Sequence, residues 1–129
     1  MVIFTDIETT ALKYGLKYEA RFVADIKEFY HATNKLNANE RVAVYRDVGK
    51  QVAKATGWKR NKDLERINRH RIIYTESEKG KPGAHYSLDT QHGRFEIYDR
   101  SGNYQGEIDF GGTFYDKIDK TGAHDINVN

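Results

Sequence analysis

The stretch "LDTQHGRFEIYDRSGNYQGEID", residues 88–109, decides how this chain is read. "TQHG" (90–93) and "RSGN" (100–103) are turn sequences, and the residues around them alternate with a period of two, so the stretch predicts short antiparallel strands. Alternation also assigns faces. His92, Arg94, Glu96 and Tyr98 fall on one side, and Phe95 and Ile97 on the other. On the preceding strand, His85, Ser87 and Asp89 oppose Tyr86 and Leu88. The apolar side is expected to join a core, and the polar side to form an open platform. A tight connection brings Asp89 close to His92.

Outward from this hairpin, the N-terminal half reads as helical. Residues 4–36 carry a stripe of Leu12, Leu16, Ala20, Val23, Ile26 and Tyr30, with Thr5 and Glu8 spaced as a capping box and Gly15 as a break or bend. Residues 37–57 form a second helix, capped by Asn37 or Asn39 and ended by Gly57, with Val42, Tyr45, Val48 and Val52 facing one way. Residues 59–70 suggest a short third helix. Strands are expected at 71–74, 84–89, 94–99 and 104–110, with polar loops at 76–83 and 111–123 and a last strand at 124–128. The fold class is therefore α+β: N-terminal helices followed by a small, twisted antiparallel sheet. The division expected is a helical region over 1–70 and a sheet region over 71–129, forming one unit.

Composition sets outer bounds. With 129 residues, 38% of them apolar, the chain has the length of one domain with a modest core, rich in rings from nine Tyr, six Phe and one Trp. The absence of Cys excludes disulfides and thiolate metal sites. No apolar run reaches membrane-spanning length and no signal-peptide pattern opens the chain, so a soluble body without a membrane span is expected. The net charge of +2 is uneven: residues 41–80 hold eleven Lys and Arg against five Asp and Glu. Lys59, Arg60, Lys62, Arg66, Arg69 and Arg71 concentrate that charge, which suits a polyanion and equally a solvated helix face. Trp58, just before them, is expected to be a core anchor.

Asp89, His92 and Glu96 on one platform suit cleavage of RNA by its own 2′-hydroxyl. Glu96 would take the hydroxyl proton, His92 would protonate the leaving 5′-oxygen, and Asp89 would orient the imidazole. Arg94 would hold the phosphate. No metal and no cofactor is expected, since the nucleophile belongs to the substrate. Polar residues on the wet face of a half-buried sheet are the plain alternative, and a metal site built on Asp, His and Glu is another.

Tyr86, Asp89, Gln91-His92-Gly93 and Glu96, followed by Gly106, Asp109 and Asp119, resemble the cytotoxic ribonuclease domain of the E-group colicins and cloacin. These bacteriocins cut small-subunit ribosomal RNA, and similar modules tip contact-dependent and other polymorphic toxins. The resemblance covers roughly residues 84–125. It implies catalytic roles for Asp89, His92 and Glu96, a twisted antiparallel sheet, and a small acidic immunity protein as partner. It also implies delivery from a secreted or surface-held larger toxin into the cytoplasm of a target bacterium, with RNA as the substrate there. The family's Arg after the late Asp is missing, since no Arg follows Arg100. Lys117, Lys120 and His124 remain as candidates, and His124 is carried as a fourth catalytic residue. In a regular strand over 124–128 its ring would instead join Ile126 and Val128 on a core face. The helical half has no counterpart in that family; delivery, a grip on RNA and completion of the core are its open roles. Two other readings compete: an RNA-binding module without catalysis, and an inhibitor acting by protein contact. Transfer RNA is the alternative substrate.

Overall fold

The computed structural model describes residues 26–116 and 121–129. The capping box at Thr5, the stripe from Leu12 to Val23, and Lys117, Asp119 and Lys120 lie outside them. The described chain runs α1 (Ile26–Thr33), α2 (Ala38–Thr56), β1 (Lys59–Arg60), α3 (Lys62–Ile67), β2 (Ile73–Glu78), β3 (Lys81–Asp89), β4 (Arg94–Tyr98), β5 (Tyr104–Asp109) and β6 (Phe114–Tyr115). The strands form one antiparallel sheet in sequence order, β1 to β6. This is the expected α+β arrangement of helices followed by a sheet.

The second helix starts and stops as its sequence dictates. The Asn37 side chain accepts from Glu40 N at 2.9 Å, and Glu40 accepts in return from Asn37 N at 3.1 Å. Gly57 closes the other end with φ 82°, a left-handed cap. Between them Tyr45, Val48, Val52 and Ala53 are buried against the sheet. Gly49 allows the close approach: a Cβ there would lie 2.9 Å from Leu88 Cδ1 on β3.

The sheet has two cores, one on each side. On the helix side, Phe29, Tyr45, Val48, Val52 and Trp58 pack on Tyr74, Leu88, Phe95, Ile108 and Phe110. Trp58 lies flat on Tyr86 with ring centroids 3.7 Å apart, and Phe95 meets it edge-on at 5.3 Å. Trp58 is thus the core anchor expected. On the other side, Leu64 of α3 and Ile126 of the C-terminal segment close over Ile73 and Tyr98, with Tyr104 and Val128 alongside.

Several expectations change. The polar side is no continuous open platform: Tyr98, His85 and Ser87 are all buried beneath the second core. The segment 59–70 is helical only over Lys62–Ile67, because Lys59 and Arg60 pair with Thr75 and Tyr74 as the first strand. The sheet therefore begins before residue 71. Residues 76–83 are strand arms around a turn at Lys79–Gly80, not a loop. Residues 114–115, expected in a loop, pair with β5.

No strand forms over 124–128. Ile126 N donates to Gly102 O at 2.9 Å and Asn127 exchanges hydrogen bonds with the Asn68 side chain at 2.8 and 2.9 Å. Side-chain and turn partners here replace a ladder. Among the described residues no helix is long and apolar enough to cross a membrane.

Candidate active site

The β3–β4 register pairs Asp89 with Arg94 and Ser87 with Glu96, and β5 adds Glu107 opposite Glu96 and Asp109 opposite Arg94. Paired residues share a face, so these side chains gather on the polar side of the sheet, where Asp89, Arg94 and Glu96 stay partly exposed while Ser87, Glu107 and Asp109 are buried.

Asp89 builds the turn and aims the histidine. Its Oδ1 accepts from Gln91 N at 2.9 Å and His92 N at 3.1 Å, and its Oδ2 meets His92 Nδ1 at 2.7 Å. The carboxylate is mostly covered, with 21% of its side chain exposed, while the imidazole is 76% exposed. One ring nitrogen is held and the other is presented to solvent. Gly93 follows with φ 71°, and a Cβ there would meet the Tyr45 ring at 2.6 Å, so the turn requires glycine. The Tyr30 hydroxyl donates to Gly93 O at 2.6 Å and accepts from Phe110 N at 3.0 Å, tying α1 to this turn. Burial drives that phenol far above its usual pKa, although the Phe110 N–H pulls the other way, so it remains a donor.

Glu96 is gripped on one oxygen. Its Oε2 accepts from Arg71 Nη2 at 2.5 Å and from the Tyr98 hydroxyl at 2.7 Å; the same Arg71 nitrogen lies 3.3 Å from that hydroxyl. Burial, then the Glu96 charge, pushes the Tyr98 phenol up, which keeps its proton on Tyr98. Arg71 brings a guanidinium to the site from before β2, with no partner for Nε or Nη1 among the described residues. Arg69 and His70 precede it with φ 61° and 60°, two successive left-handed residues without glycine. Such strain persists only where the surroundings enforce it.

Two clefts meet at Asp89, Gln91, His92 and Glu96. One, of about 540 Å³, runs past Val42, Arg46, His70, Arg71, Ile72 and Leu88. The other, of about 520 Å³, adds Tyr30, Asn34, Arg94, Tyr104, Glu107 and His124. His124 therefore lies on the same side as His92 and Glu96. It is exposed, stacked on Tyr104 at 4.8 Å and 24°, because it sits inside the turn that Asp125 N closes on Gly122 O at 3.1 Å and not in a strand. Arg94 lies over the Tyr115 ring, 4.1 Å from its centroid.

The other basic residues behave differently. Arg60 forms a two-pronged pair with the buried Glu65, Lys62 reaches the same carboxylate at 3.7 Å, and Arg66 pairs with Asp63 at 3.4 Å. Neither these nor Lys59 and Arg69 line the clefts that hold His92. Glu65 also accepts from Ile73 N at 3.1 Å, which fixes α3 to β2. Two residues of the resemblance are structural here. Tyr86 faces the helices, and Asp109 holds the β5–β6 turn by accepting from Gly111 N and Thr113 N, both at 2.9 Å.

Sequence reasoning missed the contact of Arg71 with Glu96, the burial of Tyr98 and the place of Glu107. Only Glu107 left a signal, since its register opposite Glu96 follows from hairpin pairing. Among the described residues no group of three or more His, Asp or Glu side chains is arranged to hold a metal ion. No protein-family model, curated protein or solved structure matches the chain.

Proposed function

We propose that this protein is a toxin endoribonuclease that cleaves RNA through the substrate's own 2′-hydroxyl, without a metal ion. The observation that carries the reading is the Asp89–His92 pair, 2.7 Å apart, at the mouth of a cleft shared with Glu96. Glu96 removes the 2′-hydroxyl proton, and that oxygen attacks the adjacent phosphorus. The bond from phosphorus to the 5′-oxygen breaks as His92 donates a proton from Nε2. The products are a 2′,3′-cyclic phosphate and a free 5′-hydroxyl. Asp89 fixes the ring so that Nε2 is the proton donor. Arg71, with Nε and Nη1 unengaged among the described residues, is the cation beside the phosphate, and Arg94 and His124 support it from the second cleft.

The toxin context rests on the resemblance over residues 84–125, which also favours small-subunit ribosomal RNA over transfer RNA and an acidic immunity protein as partner. The test is incubation with ribosomes and with total RNA in EDTA, followed by sequencing of the new ends. Cyclic-phosphate ends that vanish with His92→Ala and Glu96→Gln are expected. Intact RNA, or unchanged cleavage by His92→Ala, overturns the proposal. One observation favours a binding module instead: Glu96 is engaged by Arg71 and Tyr98 as in a structural ion pair. A module of that kind binds RNA in the same assay and leaves it whole.

A further inference from the structure

The clefts on either side of His92 differ in chemistry, and the one beneath α2 has the features of a nucleotide site. Its apolar lining is Val42 of α2, Ile72 ahead of β2 and Leu88 of β3. Arg46 and Arg71 bring positive charge to its lining, with the His70 imidazole beside them. Among the described residues the carboxylates in its lining are Asp89 and Glu96, which belong to the proposed catalytic wall. Arg46 stands four residues after Val42, hence on the same face of the helix, and is exposed. No ion pair engages it among the described residues. A third cavity of about 320 Å³ shares Val42, Gln91 and His92 and extends the basic rim to Arg41.

We infer that this cleft binds one nucleotide of a single-stranded RNA next to the scissile bond, with its base against Val42 and Ile72 and its phosphate on Arg46. The inference rests on the ribonuclease reading and adds a subsite to it. Contact with a base face and charge neutralisation of a phosphate are the two terms that hold single strands, and here Val42 and Ile72 supply the first as aliphatic contact in place of an aromatic platform. Both converge here within reach of His92. The more conspicuous basic segment does not offer this, because Arg60, Lys62 and Arg66 face their own carboxylates and lie off the cleft. The strand is therefore tracked by α2 and not by α3.

The experiment uses the full chain carrying His92→Ala, so that cleavage is slowed, and a fluorescein-labelled RNA hexamer of random sequence whose integrity is checked after each titration. Binding is read by anisotropy across a series of KCl concentrations. Arg46→Ala should weaken binding about tenfold, the order expected for one charge-assisted contact. It should also reduce the slope of log affinity against log salt by about 0.7. Val42→Asp should weaken binding at least as much, with an unchanged melting temperature showing that the fold persists. Lys62→Ala and Arg66→Ala should each change affinity by less than twofold. The subsite is overturned if Arg46→Ala binds like its parent, if Lys62→Ala or Arg66→Ala costs more than Arg46→Ala, or if the parent binds no hexamer at low salt. Loss of the ribonuclease reading looks different: the unmutated chain leaves RNA whole while hexamer binding still depends on Arg46. That result keeps the subsite and assigns it to a binding module.

Discussion

Two histidines mark the two ends of one sheet face. His85 lies under the second core, with Nδ1 at 2.8 Å from Thr75 Oγ1 and Nε2 at 3.3 Å from Arg100 O. His92 lies at the uncovered end, with only Nδ1 held. The hairpin places both residues on the polar side, and their separation is set by what covers them. Leu64 and Ile126 close one end, while nothing among the described residues closes the other in the same way. A polar strand face therefore stays open to solvent only where a neighbouring element stops short. At the closed end, polar atoms are matched to one another; at the open end, His92 Nε2 and Glu96 Oε1 have no hydrogen-bond partner among the described residues.

The sharpest way to break this comparison is to remove each ring. His92→Ala should reduce RNA cleavage by ~10²–10⁴, the usual cost of losing a general acid. Its melting temperature should stay within a degree or two of the parent, because the ring is mostly exposed. A variant that unfolds, or that cleaves normally, would erase the distinction between the two ends.

Arg71 gives the next largest effect. Arg71→Ala should lower kcat by roughly 10², within the range for losing one stabiliser of transition-state charge. Arg71→Lys should recover only part of it, since an ammonium lacks the planar fork that contacts carboxylate and phosphate together. Single-turnover cleavage at saturating RNA reads both variants.

At the closed end the loss should fall on stability. Burial raises the Glu65 carboxyl, but the Arg60 guanidinium, the Ile73 N–H and Lys62 outweigh it and bring the carboxyl below its usual range. Glu65→Gln should cost about 2 kcal/mol in denaturant unfolding, as charge-assisted hydrogen bonds to Arg60 are lost, with cleavage by the folded fraction unchanged.

The smallest effect is one of pH. Burial lowers the His85 pKa, and the Arg100 carbonyl only partly opposes it. A folded pKa below the unfolded one means that protons bind the unfolded chain better. The stability that His85 contributes is therefore intact above about 6.5 and is lost as pH falls toward the lowered value. His85→Gln should flatten the fall in unfolding free energy between pH 7 and 5. An unchanged slope would show that the closed end is not sealed.

Much of the site was legible because β-strand geometry is local. Alternation put Asp89 and Glu96 on one face and Phe95 and Leu88 on the other, and the short turn brought Asp89 to His92. The caps of α2 follow from Asn37, Glu40 and Gly57 for the same reason. What escaped depends on contacts between distant segments. Arg71 reaches Glu96 across 25 positions, after a backbone bend at Arg69 and His70 that no propensity favours. Tyr98 has the pattern of a wet-face residue and is buried because Leu64 and Ile126 arrive from elsewhere. The segment 124–128 has a strand's pattern but pairs through Asn68 and Gly102, so His124 escapes the face its alternation assigns.

The Tyr30 hydroxyl has a consequence for control. One oxygen gives a hydrogen bond to the turn that carries His92 and takes one from the end of β5, across 63 and 80 positions of sequence. Helix α1 cannot rotate or withdraw without breaking both contacts at once. The orientation of the His92 imidazole is thereby tied to the seating of a helix that contributes no side chain to the Asp89–His92–Glu96 group. On the ribonuclease reading, a pull on α1 would be felt at His92 without anything occupying either cleft.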